Sequence, residues 1–197
     1  DFEIVIVGDR PSWYTGLHIP CRRLPQQPER AFRDCYNRLL TACDDVRVSS
    51  PFVWMMDDVY WLRPFTQREA LAPKFYRTGR PNKKPGRNKW QTLKQKAFDE
   101  MHASGYALRD FASHMPQPIY KHSFLRMENR HDLLRGECKN WEIIYYNSCP
   151  NLSRDAVNAQ KWLYRFLQPV TRSQLEIEVK PWHRFLNNGA RAWSDDL

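Results

Sequence analysis

The chain has 197 residues, of which 42% are apolar and 14% are aromatic, a composition that supports one hydrophobic core and excludes a disordered or fibrous chain. No apolar run approaches the roughly 20 residues of a membrane span, and the first residues lack the basic start and cleavage site of a signal peptide. Five cysteines without a C-x-x-C pair favour reduced thiols and argue against zinc. We therefore expect a single-domain cytoplasmic protein with no membrane partner and no obligate protein partner.

The first predicted elements alternate between strand and helix. The β-branched run E-I-V-I-V, which ends at Gly8, predicts a buried strand, and apolar residues at helical spacing predict a helix from Glu29 to Cys43. The run V-S-S-P-F-V-W-M-M, residues 48–56, predicts a second buried strand. Strand, helix, strand is the repeating unit of an α/β protein, so we predict a mixed, mainly parallel central sheet flanked by helices.

The later elements are also predicted from periodicity. Trp90 to Ser104 has an apolar face at helical spacing, and a second helical stretch is expected near His122 to Leu134. The run E-I-I-Y-Y, residues 142–146, resembles a strand, and Arg154 to Leu167 is predicted as a helix. The alternating run L-E-I-E-V, residues 175–179, is predicted as a half-buried strand.

The net charge of +9 comes from one segment of the chain. Between Ala70 and Phe98 there are nine basic residues and no acidic one. Residues 73–89 are rich in Pro, Gly and Asn and are expected to form an exposed, mobile loop. Basic side chains with interleaved aromatic rings suit a nucleic acid, so the predicted nucleic-acid-binding residues are Lys74, Arg77, Arg80, Lys83, Lys84, Arg87, Lys89 and Trp90. The alternatives are a lid over a diphosphate and a site for an anionic polysaccharide.

Two adjacent carboxylates, Asp57 and Asp58, follow the predicted strand 48–56 directly. In an open α/β sheet, ligands bind at the carboxyl ends of the strands. The pair can cap the next helix, form an ion pair with an arginine such as Arg63, or hold a divalent cation that offsets their mutual repulsion. The residues alone leave these three explanations open.

Three blocks of the sequence resemble one family in the same order. The run M-M-D-D-V-Y-W-L-R-P, residues 55–64, resembles the acidic motif of GT-A-type nucleotide-sugar transferases, and is closest to the Stealth family of sugar-phosphate transferases and related phage-encoded enzymes. The run H-M-P, residues 114–116, resembles that family's third block. The stretch from I-I-Y-Y-N-S through T-R-S-Q-L-E, residues 143–176, resembles its fourth block. The resemblance implies a single GT-A-like (Rossmann-like) domain.

The resemblance also implies roles for individual residues. Asp58 matches the carboxylate that binds Mn²⁺ or Mg²⁺, and Asp57 matches one that orients the nucleotide sugar or the water shell of the metal. A UDP-sugar is the expected donor. His114 matches a position suited to taking the proton of the acceptor hydroxyl, and the same imidazole could instead bind the metal or donate to a phosphate. From the residues alone it is equally a turn histidine ahead of Pro116. The family often has Asn or Asp where Met56 stands, so one expected contact to the metal site is missing.

Four further residues are expected on the donor side. Arg33 and Asn37 lie four apart on the helix before the acidic strand, where an arginine can pair with phosphate oxygens, although a solvated helix flank explains them equally. Asp9 follows the first strand and can meet the base or ribose, and Arg63 is the basic residue that precedes proline in the motif. The family usually begins with a strand and helix ahead of the run V-I-V-G-D, and we expect both to be missing here.

The predicted function is metal-dependent transfer of a sugar, or a sugar phosphate, from a nucleotide sugar to a hydroxyl acceptor. The absence of acidic residues from the basic segment favours hydroxymethylated pyrimidine in phage DNA as the acceptor. A phage enzyme of this kind would act in the host cytoplasm. One alternative is a Stealth-type transferase that acts on a capsule or cell-wall polysaccharide. Another is a non-enzymatic nucleic-acid-binding domain in which Asp57 and Asp58 are structural.

Overall fold

The computed structural model describes residues 3–25, 29–56, 59–64, 66–79, 89–166, 173, 176 and 178–188. Helices and strands are interspersed along the whole chain, which confirms the predicted mixed α/β class. The elements in chain order are β1 Val5–Val7, β2 Leu17–Ile19, α1 Arg30–Asp44, β3 Phe52–Trp54, β4 Val59–Trp61, α2 Gln67–Leu71, β5 Lys74–Phe75, α3 Lys89–Ala103, β6 Gln117–Ile119, α4 Lys121–His131, α5 Trp141–Ser148, α6 Pro150–Arg154, β7 Val157–Asn158, β8 Leu163–Phe166 and β9 Phe185–Asn188.

The described strands form four small sheets in place of the predicted mainly parallel central sheet, and parallel and antiparallel pairs both occur. β1 pairs with β2 and β5 pairs with β7, both in parallel. β9 lies between β4, which runs antiparallel to it, and β8, which runs parallel. β3 pairs antiparallel with β6, so that Phe52 lies opposite Ile119 and Trp54 lies opposite Gln117. This last pairing joins segments more than 60 residues apart, and it determines what surrounds the predicted site.

The main core lies among α1, α3, α4 and α5. The predicted apolar face of α3 is confirmed, since Leu93, Ala97, Phe98 and Met101 are all buried. Phe124 of α4 packs edge-on against Tyr145 of α5, with ring centroids 5.1 Å apart. Aromatic pairs of this geometry contribute beyond the apolar area they bury. Of the described helices, none combines the length and the apolarity that a membrane span requires.

The strand predicted for residues 142–146 is wrong, because this run is part of helix α5. Every residue from Trp141 to Asn147 is buried, so the helix has no polar face and its sequence shows no helical period. The Asn140 side chain accepts a hydrogen bond from the Ile143 amide at 3.0 Å and caps the first turn. The cap was the sequence signal for a helix here.

The helix predicted from Arg154 to Leu167 is also wrong. Beyond α6 the chain forms β7 and then β8. The amides of Val157 and Ala159 donate to the carbonyls of Pro73 and Phe75 at 2.8 and 3.0 Å, so β5 holds this segment in an extended conformation. Tertiary pairing therefore overrides the local helical pattern. In the predicted strand 175–179, the described positions 176 and 178 are helical.

One carboxylate in the core carries a pH-dependent prediction. Burial raises the pKa of Glu142 to about 8, from an ordinary value of 4.5, against the smaller opposing effects of Asn140 and Lys94. The folded protein thus keeps a proton that the unfolded chain loses, so the stability from this group is full below pH 4.5 and is lost as the pH rises to about 8. Glu142→Gln is expected to raise the free energy of unfolding at pH 8 by roughly 1–3 kcal/mol.

Urea denaturation at about pH 5 and pH 8 measures this effect. The gap between Glu142→Gln and the wild type should widen from the lower pH to the higher. Glu3→Gln, which removes an exposed carboxylate, is the control and should follow the wild type at both pH values. A constant gap between Glu142→Gln and the wild type would show that Glu142 does not titrate in this range.

Candidate active site

Asp57 and Asp58 lie outside the described residues, but both of their neighbours are described. The amide of Val59 donates to the carbonyl of Met56 at 3.3 Å, so the chain before the pair is hydrogen-bonded to the chain after it. Val59 is buried with Met115, Ala159 and Phe185, and Met56 packs against this cluster. The residues on both sides of the pair therefore pack in the cluster that contains Met115, the neighbour of His114.

The β3–β6 pairing explains this proximity. Trp54, the last residue of β3, lies opposite Gln117, the first residue of β6. Asp57 follows Trp54 by three positions, and His114 precedes Gln117 by three positions. Because the strands are antiparallel, the end of β3 that leads to the acidic pair lies beside the start of β6, which the chain reaches from His114.

His114 lies between elements that are distant in sequence. Its ring centroid is 5.3 Å from that of Trp90, in the first turn of α3, and Trp90 stacks on Phe32 of α1 at 5.4 Å. His114 has a φ of 53°, a left-handed conformation that is uncommon outside glycine and concentrated at functional sites. Trp90, predicted to contact nucleic acid, is thus placed beside the predicted catalytic histidine.

Gln117 fixes the segment that carries His114, and sequence reasoning missed it. Its buried amide accepts from the Lys74 amide at 2.9 Å and donates to the Lys74 and Phe111 carbonyls at 2.7 and 3.2 Å. These bonds join β6 to β5 and close the loop before the strand. A polar residue inside an otherwise apolar strand was the signal, because a buried amide needs partners of this kind.

Among the residues described around the acidic pair, we find no further set of ligands for a hard divalent cation. The Met56 sulfur lies 3.7 Å from the Cys35 sulfur and packs in the apolar cluster, so Met56 serves packing where a polar contact was expected. Mg²⁺ and Mn²⁺ prefer oxygen ligands to thioether sulfur. No group of three His, Cys, Asp or Glu side chains suited to a metal occurs among the described residues. The two aspartates would have to supply the carboxylate oxygens.

Three predicted donor contacts are engaged within the protein. The Arg33 guanidinium donates to the carbonyls of Leu134 and Gly136, the latter at 2.9 Å, and thereby joins α1 to the loop after α4. The Asn37 amide donates to the Cys21 sulfur at 3.2 Å. Both side chains are half-buried in these contacts, so the helix flank is not solvated as the structural explanation expected. Asp9 forms an exposed ion pair with Arg23 at 3.2 Å, and Arg63 is exposed after β4.

The basic segment divides into a buried and an exposed part. Lys74 is fully buried and donates to the carbonyls of Ala70 and Ala72 at 3.2 and 2.9 Å, so its predicted contact with nucleic acid is wrong in this structure. Burial lowers the pKa of Lys74 to about 8. Arg77 is half-exposed and lies 3.4 Å from the Asp110 carboxylate, and Lys89 is exposed where α3 begins. The predicted residues Arg80, Lys83, Lys84 and Arg87 lie outside the described residues.

Comparison of the chain with protein-family models, with curated proteins and with solved structures found no match. The contacts described above are therefore the basis for assigning a function.

Proposed function

We propose that this chain is a metal-dependent transferase that moves a sugar, or a sugar phosphate, from a nucleotide sugar to a hydroxyl acceptor on a GT-A-like (Rossmann-like) domain. The antiparallel pairing of β3 with β6 carries the proposal, because it brings the strand that leads to the acidic pair alongside the segment that carries His114. The packing of Met56 and Val59 in one cluster with Met115 supports the same arrangement.

In this proposal the reaction uses three side chains of the chain. Asp58 holds Mn²⁺ or Mg²⁺, and Asp57 orients the donor beside it. The cation, when bound, offsets the charge that grows on the departing nucleotide. An imidazole nitrogen of His114 takes the proton of the acceptor hydroxyl, and the acceptor oxygen bonds to the transferred group. The electrons of the broken bond leave with a nucleoside diphosphate when a sugar is transferred, and with a nucleoside monophosphate when a sugar phosphate is transferred.

The left-handed backbone and the ring contacts of His114 support its role as the base. Its imidazole lies against Trp90, which is held in turn by Phe32, so the ring cannot turn freely. A base held in one orientation loses less entropy when the acceptor binds. For a UDP-sugar donor, Asp9 and Arg63 are the exposed members of the expected set and stay candidates for its contacts.

For the acceptor we propose a hydroxymethylated pyrimidine in DNA. The support is the basic segment between Ala70 and Phe98, of which Arg77, Lys89 and Lys96 are the members that the structure describes with exposed surface. A DNA acceptor needs cations along its backbone and extrusion of the target base. An anionic polysaccharide is the competing acceptor.

Mass spectrometry tests the acceptor. The protein is incubated with Mn²⁺, a panel of nucleotide sugars and either hydroxymethylated DNA or a capsule-type polysaccharide. A mass gain on digested nucleosides is expected, and its size separates a hexose from a hexose phosphate. A gain on the polysaccharide alone would overturn the DNA acceptor and keep the transferase. No gain on either, with DNA bound nonetheless, would favour a nucleic-acid-binding domain.

A further inference from the structure

Helix α6, Pro150–Arg154, lies between two clefts. One cleft, of about 390 Å³, is bounded by the segment 105–109 and by Asn147 of α5. The other, of about 550 Å³, is bounded by α4 and the chain that precedes α6. Pro150 lines both clefts, so they are neighbours. Neither cleft contains a residue of the proposed active site. Along the chain, the segment 105–109 of the smaller cleft precedes His114, and the residues of the larger cleft follow β6.

The two clefts share one set of side-chain types. Each is lined by two arginines and one tyrosine, which are Arg109, Arg154 and Tyr106 in the smaller cleft and Arg126, Arg130 and Tyr120 in the larger. Arginine presents a planar set of donors that matches phosphate oxygens. A tyrosine ring offers a surface on which a base can stack.

The arginines are oriented by contacts that use part of their donors. Arg126 and Arg130 lie four apart on α4 and therefore face the same way. Arg126 donates to His122 Nε2 at 2.7 Å, and Arg130 donates to the Tyr106 hydroxyl at 3.4 Å. The Arg130 bond joins the larger cleft to the tyrosine of the smaller one. Each contact involves one terminal nitrogen of the arginine, which has five donor hydrogens in all.

The charge of the clefts favours an anion. Among the described residues that line them, Asp155 is the one carboxylate against four arginines, and it lies 3.7 Å from the Arg154 guanidinium. Arg109 is held in place, because it donates to the Ser153 carbonyl and lies over the Phe75 ring, 4.9 Å from its centroid. Arg126 and Arg130 are exposed and can meet a ligand.

We propose that the paired clefts bind single-stranded nucleic acid, with the guanidinium groups on successive phosphates and the tyrosines against the bases. Two adjacent anion-binding clefts fit a polyanion better than a single phosphate, and an aromatic ring in each cleft fits a polymer that carries bases. This inference rests on the proposed function, since it assigns a surface for the acceptor strand. Binding is measured without donor or metal, so that its failure is distinct from failure of transfer.

The position of the clefts suits an acceptor strand that continues to the proposed active site. Tyr120 follows β6 directly, and His114 precedes it by six residues. Six residues of extended chain span at most about 20 Å. At about 3.4 Å per stacked nucleotide, this upper limit corresponds to at most roughly six nucleotides of strand. Bound DNA would therefore be held a few nucleotides away from the base that reacts.

Fluorescence anisotropy with a fluorescein-labelled single-stranded 20-mer tests the proposal. The wild type should bind in low salt, and Arg126→Gln/Arg130→Gln should bind at least about tenfold more weakly. The slope of log affinity against log salt should fall by about 1.4, because two phosphate contacts are lost. Arg154→Gln probes the smaller cleft and should weaken binding about threefold or more. Thermal melts establish that each variant is folded.

The matched control is Arg22→Gln/Arg68→Gln, which removes the same charge from exposed positions elsewhere. It should change the affinity less than threefold. An equal loss in both double variants would overturn the proposal in favour of a general charge effect, and an absence of binding by the wild type would overturn it outright. Dextran sulfate, which has no bases, should compete poorly; competition equal to that of unlabelled DNA would assign the clefts to polyanions in general and overturn the nucleic-acid assignment.

Discussion

Replacing Asp58 with asparagine is expected to lower Mn²⁺-dependent hydrolysis of a nucleotide sugar by at least about 100-fold, because the amide cannot offer the charge that holds the cation at the leaving group. The melting temperature in the absence of metal should stay the same or rise, since the substitution removes repulsion between two adjacent carboxylates. Release of a nucleoside mono- or diphosphate and a thermal melt measure the two quantities.

The control for this variant is Asp99→Asn, which changes an exposed carboxylate on α3 that accepts a hydrogen bond from Gln95. It should retain the full rate. A fall in melting temperature for Asp58→Asn with the rate unchanged would mean that the pair caps a helix or forms an ion pair, as the two structural explanations require. If Asp58→Asn and Asp99→Asn have the same rate, Asp58 has no role in the reaction.

Replacing Asp110 with asparagine is expected to lower the free energy of unfolding by about 3–5 kcal/mol. The Asp110 carboxylate is almost completely buried and accepts a hydrogen bond from Lys94 at 2.7 Å, with the Arg77 guanidinium 3.4 Å away. The substitution leaves the buried Lys94 ammonium without its counter-charge, and this is more costly than the loss of an exposed pair. Urea denaturation at neutral pH measures the difference.

Arg77→Gln is the matched control for Asp110→Asn. It removes the outer cation, whose side chain is 41% exposed, and should cost less than about 1 kcal/mol. Equal effects of the two variants would contradict the assignment of Lys94 and Asp110 as the dominant pair. Because Arg77 precedes and Lys94 follows the segment 80–88, Asp110 also joins the described chain on either side of that basic segment.

The helices with one apolar face were predictable from the sequence. The prediction Glu29 to Cys43 became α1 at Arg30–Asp44, and Trp90 to Ser104 became α3 at Lys89–Ala103. In both helices the apolar residues recur at helical spacing and face the core, so that local pattern and tertiary packing agree.

The elements that were predicted wrongly depend on contacts between distant segments. Helix α5 is buried on all sides, which removes the polar face that makes a helix recognisable. The segment after α6 has a helical pattern, but β5 pairs with Val157 and Asn158 and holds it extended. Neither the burial of α5 nor the pairing with β5 can be inferred from the local sequence, because in each case the contacting residues lie elsewhere in the chain.

The sequence proposed the members of the candidate site but not the contacts around them. The order of the motifs indicated that the acidic pair and His114 belong to one site. The β3–β6 register, the ring contact of His114 with Trp90 and the hydrogen bonds of the Gln117 amide join distant segments, so no motif indicated them. Lys74 was predicted to contact nucleic acid because it is charged, but it is buried, and the composition of a segment does not indicate burial.

The rate at which the wild-type protein releases a nucleoside mono- or diphosphate, with a panel of nucleotide sugars and with Mn²⁺ or EDTA, tests the central claim most directly. The proposed site predicts hydrolysis of at least one donor in Mn²⁺ and none in EDTA, since Asp57 and Asp58 need the cation to hold a diphosphate. Equal rates in Mn²⁺ and EDTA, or neither binding nor hydrolysis of any donor with Mn²⁺ present, would contradict a metal-dependent nucleotide-sugar transferase.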